Sequence, residues 1–241
     1  MNIIADLHTH SIFCDHAFST IEENARAAAQ KGLSFLGVTE HGSSMKGAPS
    51  EFYFGCIIKH YPAEQHGVKL VKGAEVNIID CNGGLDLDSN ILAKLHWVIA
   101  SMHTHTFAPV NKEAYTQAWL EVAKNLNVDV IGHCGHDVFD FDFEKVIPEF
   151  ASNGKIVEIN NNSFSSRSGS AERCPQIAKL CAKHGVRIAV NSDAHHYTQI
   201  GEFSRAVQML KEVDFPQELI INADYHRFVK TLKEITGFDW A

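Results

Sequence analysis

Along this chain, short apolar runs alternate with stretches whose apolar positions recur every three to four residues. The runs are NIIADLH, LSFLGVTEH, VKLVKGAEVNI, LHWVIASMH, VDVIGHCG, KIVEINN and VRIAVNSDAH. Their length and β-branched content predict strands. Between them, STIEENARAAAQKG, NKEAYTQAWLEVAKNLN and SAERCPQIAKLCAKHG carry helical spacing, and two of these three end in glycine. Ser19 or Thr20 is placed to cap the first helix. After the third run, DCNGGLDLD predicts a hairpin excursion turned at Asn82-Gly83.

A polar residue closes each run: His8, His41, Glu75, His103, His133, Asn160 and Asp193, at intervals of 33, 34, 28, 30, 27 and 33 residues. Each interval fits a strand, a crossover helix and two loops, which is one βα unit. Seven units of this kind predict an α/β fold, a closed or nearly closed parallel barrel of the TIM-barrel type. In such barrels the strand ends and the loops that follow them build the site. An open doubly wound sheet is the alternative, but its ligands gather at the switch point and not on every strand end.

The 241 residues are 45% hydrophobic, enough for one large core, with no linker or charge block to divide them. We expect a single domain spanning 1–241. No apolar run reaches the roughly 18 residues needed to span a bilayer, and MNIIADLH lacks the features of a signal peptide. The six cysteines show no CxxC pair, which suits a reduced, cytoplasmic protein. A formal charge of −8 argues against long nucleic acids as partners, and nothing points to a membrane. The compositional oddity is fifteen histidines.

Residues i and i+2 of a strand share a face, so HTH sends His8 and His10 to one side and SDAH does the same for Asp193 and His195. These pairs sit on the first and last strands, which become neighbours when a barrel closes. A lone HxH, a strand-end histidine such as His103 or His133, or a carboxylate such as Glu75 has a bland structural reading by itself. Facing one cavity together, they would carry several kcal/mol of desolvation penalty per buried ion. Divalent cations resolve that conflict, because imidazoles and carboxylates are their nitrogen and oxygen ligands. The residues sort into three sets. His8, His10, Glu75 and Asp193 form one. His103 and His133 form another with the second oxygen of Glu75, which would bridge. His16, His41 and His195 form the third. Metals about 3.5–4 Å apart that share a carboxylate and a water suit phosphoryl chemistry.

The segments DLHTHSIFCDH, TEHG, GAEVN, SMH, IGHCG, EINNNSF with SRSGS, and NSDAHH resemble the polymerase and histidinol phosphatase (PHP) family, in particular its bacterial phosphatases, essentially from end to end. The resemblance implies a distorted seven-stranded (β/α)7 barrel that holds three metal ions, often zinc, and hydrolyses phosphate esters. Its metal positions fall on His8, His10, His16, His41, Glu75, His103, His133, Asp193 and His195. Zn²⁺ suits these ligands best, with Mn²⁺ or Fe²⁺ as alternatives.

The mechanism expected is hydrolysis of a small-molecule phosphate monoester. A hydroxide held between the first two metals attacks in line, with Glu75, Asp193 and Arg167 as the catalytic set. Arg167 would grip the phosphate with two prongs, and Asn161 or Ser163 would add neutral donors. Asp15 reads as a turn residue. His105, His136 and His196 flank the mouth, whereas His60, His66, His96, His184 and His226 belong to surface helices or strand faces. EFYFG would pack a helix on the barrel. The rival chemistries are a family nuclease acting on nucleotides or short oligonucleotides, and a metal-dependent amidohydrolase. The latter typically needs a modified bridging lysine, and Lys72 faces away from Glu75 by parity.

Overall fold

The computed structural model describes residues 1–108 and 110–240. Its elements run β1 (Ala5–Asp6), α1 (Ile21–Gln30), β2 (Phe35–Val38), α2 (Glu51–His60), β3 (Glu64–Gln65), β4 (Val68–Asn77), α3 (Ser89–Leu92), β5 (Trp97–Ser101) and α4 (Lys112–Lys124). They continue with β6 (Val130–Ile131), α5 (Phe143–Ser152), β7 (Ile156–Asn160), α6 (Ser163–Ser166), α7 (Ser170–His184), β8 (Ile188–Asn191), α8 (Ser204–Glu212) and α9 (Tyr225–Thr236). All seven runs expected as strands pair in parallel in the order β1-β2-β4-β5-β6-β7-β8, and β3 adds an antiparallel flap to β4. Regular pairing shrinks to two residues in β1 and in β6.

The helices begin where their local chemistry directs. Thr20 and Glu23 form a reciprocal capping box at the start of α1, Asn111 caps α4, and Gly185 ends α7 at φ 69°. The hairpin expected after β4 is reduced to a single antiparallel bridge, Ile78 to Leu85, around Gly83 at φ 74°. It returns Asp86 to the end of β4, where Oδ1 accepts from the Asn77 N–H at 2.8 Å.

Strand alternation sorts the core into two layers. Leu36, Leu70, Val98, Ile131, Val157 and Val190 face outward and pack with Trp119, Phe150 and Ile177 of the helices. Their neighbours Phe35, Val71, Ile99, Val130, Ile156 and Ala189 face inward and meet Phe228, Leu232 and Trp240, which seal the amino end. In α2, Phe54 is buried against the barrel while Phe52 stays exposed, so EFYFG packs as expected.

Between β8 and β1 the sheet closes without a continuous ladder. Toward the carboxyl end, Thr9 bridges to Ala194 and the Asp193 N–H reaches the His8 carbonyl at 3.0 Å. Lower down, side chains stand in for a strand. Asn222 donates to the carbonyls of Ala5 (2.9 Å) and Val190 (2.7 Å), and its Oδ1 accepts from the Val190 N–H. Asn191 Oδ1 accepts from the Leu7 N–H, and Asp6 accepts from the N–H groups of Ser192 and Gly201. Buried backbone groups at this seam are thus paired by side chains, as burial demands.

Candidate metal centre

Continuing the inward register up β2, β4, β5 and β8 leads to one place, whereas Ala5 and Leu7 are the inward residues at β1, so His8 and His10 join the cluster with the opposite parity. Phe35 is followed by Gly37, Thr39 and His41; Val71 by Gly73 and Glu75; Ile99 by Ser101 and His103; and Ala189 by Asn191 and Asp193. His133 departs from the alternation through a backbone turn at φ 24°, and Asp193 sits at φ 59°. Left-handed conformations at residues other than glycine cost of order 1–3 kcal/mol and gather at functional sites.

Glu75, buried, is the centre of the cluster. Its Oε1 lies 2.8 Å from His133 Nε2 and 3.4 Å from His103 Nε2. Its Oε2 lies 3.2 Å from His8 Nε2, 3.4 Å from His10 Nε2 and 2.8 Å from His41 Nδ1. Asp193 Oδ1 completes the first group at 3.6 Å from His8 Nε2 and 3.3 Å from His10 Nε2. The two oxygens of Glu75 therefore divide the histidines, Oε1 toward His103 and His133 and Oε2 toward His8, His10 and His41. His10, His41 and His195 have ligand atoms mutually within 4.8 Å. His16, more exposed, flanks them with ring centroids 5.1 Å from His41 and 5.0 Å from His195.

Many of these atoms approach one another without hydrogen-bonding geometry. His8 Nε2, both nitrogens of His10, His41 Nδ1, His103 Nε2 and Glu75 Oε2 are buried without a hydrogen-bond partner. Leaving such groups unsatisfied is costly, and converging nitrogen and oxygen lone pairs are the donor set that a divalent cation accepts. The residues fit metal ions.

Electrostatics point the same way. Burial alone would push the imidazoles of His8 and His10 toward neutrality. Glu158, Glu75 and Asp193 around His8, and Asp193, Cys14 and Glu75 around His10, reverse this and raise both well above the usual histidine range. Burial likewise opposes charge on Glu75 and Asp193, but His8 foremost holds both well below the usual carboxylate range. His41 is driven well below its ordinary value by burial, and His133 and His195, also by burial, to about 4. Positive charge is thus favoured between Glu75 and Asp193, whereas burial favours the neutral form of His41, His133 and His195.

A cavity of about 370 Å³ opens over the cluster, lined by His16, His41, Met45, Lys46, His103, His105, Arg167, Asp193 and His195. Arg167 lies on its wall, donating from Nη2 to Asp193 Oδ2 at 2.9 Å and from Nη1 to Ser163 Oγ at 3.3 Å. Several expectations for the mouth are corrected. Asn161 does not reach the cavity, because its Oδ1 accepts the N–H groups of Arg205 and Ala206 at the start of α8. Ser163 supports Arg167 from beneath. Of the three flanking histidines, His105 lines the cavity; His136 and His196 are not among its lining residues. Asp15 lies exposed in a turn, its N–H on the Gly47 carbonyl. Lys72 points away from the cluster to the carbonyls of Ile58 and Tyr61, as parity requires.

The residues behind the ligands were missed by reading the sequence alone. Glu158 Oε1 lies 2.7 Å from His8 Nδ1, and Asn77 Oδ1 lies 2.7 Å from His103 Nδ1 while Asp86 holds the Asn77 amide. Glu40, fully buried, is held by both donors of Ser11 and shares a buried group with His10 and Cys14. A signal did exist for Glu158. It stands two residues before Asn160 on β7 and therefore shares its inward face.

The PHP domain profile matches residues 6–162. A probable phosphatase of Acetivibrio thermocellus is 42% identical over 233 residues, covering 97% of this chain and 96% of its own length. A probable phosphatase of Thermoanaerobacter sp. strain X514 is 45% identical over 236 residues, with coverage of 97% and 96%. Among solved structures, histidinol phosphate phosphatase from Lactococcus lactis, complexed with zinc, L-histidinol and phosphate, superposes with a TM-score of 0.63 at 17% identity, covering 90% of this chain and 95% of that one. This last likeness concerns the fold.

Proposed function

The chain belongs to the PHP domain family, and from that premise we propose that residues 1–241 act as one metal-dependent phosphatase that hydrolyses small phosphate monoesters. The observation that carries this reading is the division of the Glu75 carboxylate, with Oε1 toward His103 and His133 and Oε2 toward His8, His10 and His41. Three divalent ions, zinc foremost, would be held by His8, His10, Glu75 and Asp193, by Glu75, His103 and His133, and by His16, His41 and His195. Such ions supply Lewis acidity toward phosphoryl oxygens and lower the pKa of bound water toward about 7.

The chain's own residues supply the rest. Arg167 already spends donors on Asp193 and Ser163, which fixes the plane of its guanidinium, and its remaining N–H groups are available to a phosphoryl oxygen. Orientation of this kind stabilises charge where it develops without reorganisation during the reaction. Lys46 and His105, on the same cavity wall, are placed to meet the organic part of the ester. A cavity of about 370 Å³ admits a small metabolite and falls at the lower end of ordinary ligand sites. The amidohydrolase alternative lacks support here, because Lys72 is turned away.

The decisive assay supplies the purified protein with Zn²⁺ or Mn²⁺ and measures phosphate released from a panel of monoesters, with matched diesters, esters and amides alongside. Monoesters are expected to be cleaved, activity to disappear with chelator, and activity to return on adding metal. A fully metallated protein inert toward every monoester would overturn the proposal.

A further inference from the structure

We propose that Glu158 is the positioning residue of this centre, fixing the His8 ring so that the ion on His8, His10, Glu75 and Asp193 is held more tightly than the others. The inference rests on the metal reading above and concerns how the ions differ. Glu158 is 3% exposed and lies behind the ligands, away from the cavity. Its Oε1 accepts from His8 Nδ1 at 2.7 Å and from Asn191 Nδ2 at 2.9 Å. Its Oε2 accepts from the backbone N–H of His133 at 2.9 Å and from Asn160 Nδ2 at 3.1 Å. Asn160 Nδ2 in turn lies 3.2 Å from Asp193 Oδ2. One carboxylate thus ties together ligands just beyond β1 and β6 and their supports on β7 and β8.

Two consequences follow. With a proton committed to Nδ1, His8 presents a free lone pair on Nε2, the atom that faces Glu75 Oε2 at 3.2 Å and Asp193 Oδ1 at 3.6 Å. His133, at φ 24°, keeps its unusual backbone because its N–H has a charged acceptor there. Two rings of the other sets have neutral backing. His103 Nδ1 meets the neutral amide oxygen of Asn77 at 2.7 Å, and His195 Nδ1 meets the Asp193 carbonyl at 3.0 Å. A carboxylate partner makes an imidazole a stronger ligand than an amide or carbonyl partner does, and such partners typically govern 10–100-fold in metal affinity.

The test titrates metal-stripped wild type, Glu158→Gln and Asn77→Ala with Zn²⁺ in competition with a chromogenic chelator, and compares the melting temperatures of the three apoproteins. Wild type is expected to bind one ion at least about tenfold more tightly than the rest. Glu158→Gln should weaken that ion about 10–100-fold and, through the His133 N–H, the ion on Glu75, His103 and His133 by less, whereas Asn77→Ala should weaken only the ion that includes His103. Retention of the tight ion in Glu158→Gln overturns the inference, as does a uniform loss that tracks a collapse of the apoprotein. Equal affinities for all ions in wild type would overturn it while leaving the proposed function intact; no binding at all would sink both. Independently of any variant, nitrogen NMR of zinc-loaded wild type should find the His8 proton on Nδ1, and a proton on Nε2 overturns the proposal.

Discussion

At the amino end of the barrel, Phe228 packs against Phe35 at 4.9 Å between ring centroids and against Trp97 at 6.5 Å, with Trp240 beside them. Nearby charges are tied to the backbone there: Lys155 Nζ donates to the carbonyls of Asn125 and Val128, and Asp129 accepts from the Val98 N–H. At the carboxyl end of the same strands, five imidazoles crowd one carboxylate, two non-glycine residues adopt positive φ, and buried lone pairs lack partners. The contrast teaches where this fold keeps its stability and where it places its chemistry. Burial of complementary apolar surface stabilises the lower end, and the upper end is locally unfavourable unless cations complete it.

The contrast breaks most visibly at Glu75. Glu75→Gln should lower phosphate release by roughly 10³-fold, measured on variant protein verified as folded. Phosphatase rates near wild type in a metal-supplied assay would dissolve the distinction. The converse substitution lies at the other end. Phe228→Ala removes a fully buried ring and should cost about 3–5 kcal/mol of stability, read by urea or thermal unfolding, with kcat/KM unchanged at a temperature where the variant is folded. A large fall in kcat/KM would show that the lower plug also tunes the centre.

A smaller effect comes from Asp129, whose carboxyl burial raises to about 6 despite the Val98 bond and nearby Lys155. A raised acid binds its proton more tightly in the folded state. Its contribution is therefore fully present below the unfolded value near 4 and is lost as pH rises through about 6. In metal-stripped protein, Asp129→Asn should flatten the decline in stability over that window by on the order of 2 kcal/mol. Identical slopes in wild type and variant would mean that the lower end hides no titrating strain.

Much of this was legible without coordinates. The seven apolar runs, their period and the residues closing them named the barrel, and the two i,i+2 pairs at the chain's extremes foretold which strands would meet. What escaped was of one kind. Glu158, Glu40, Asn77 and Asp86 are polar residues whose meaning lies in which ring or N–H they face, and a one-dimensional pattern does not carry that. The polar loop around Asn161 and Ser163 suggests anion donors; folded, Asn161 caps α8 and Ser163 props Arg167. Asn222 had no signal at all, since its task of filling the seam exists only once β8 approaches β1.

By itself, the sequence determined the side of each strand that would be apolar, the ends at which ligands would stand, and the presence of enough imidazoles for several ions. These follow from backbone periodicity and residue chemistry, which are local. Only the tertiary structure decided that His41 joins His8 and His10 on one oxygen of Glu75, that His10 stands closer than His16 to His41 and His195, and which buried group holds each ring. Those outcomes depend on ångström-scale distances between segments far apart in the chain, and packing sets them.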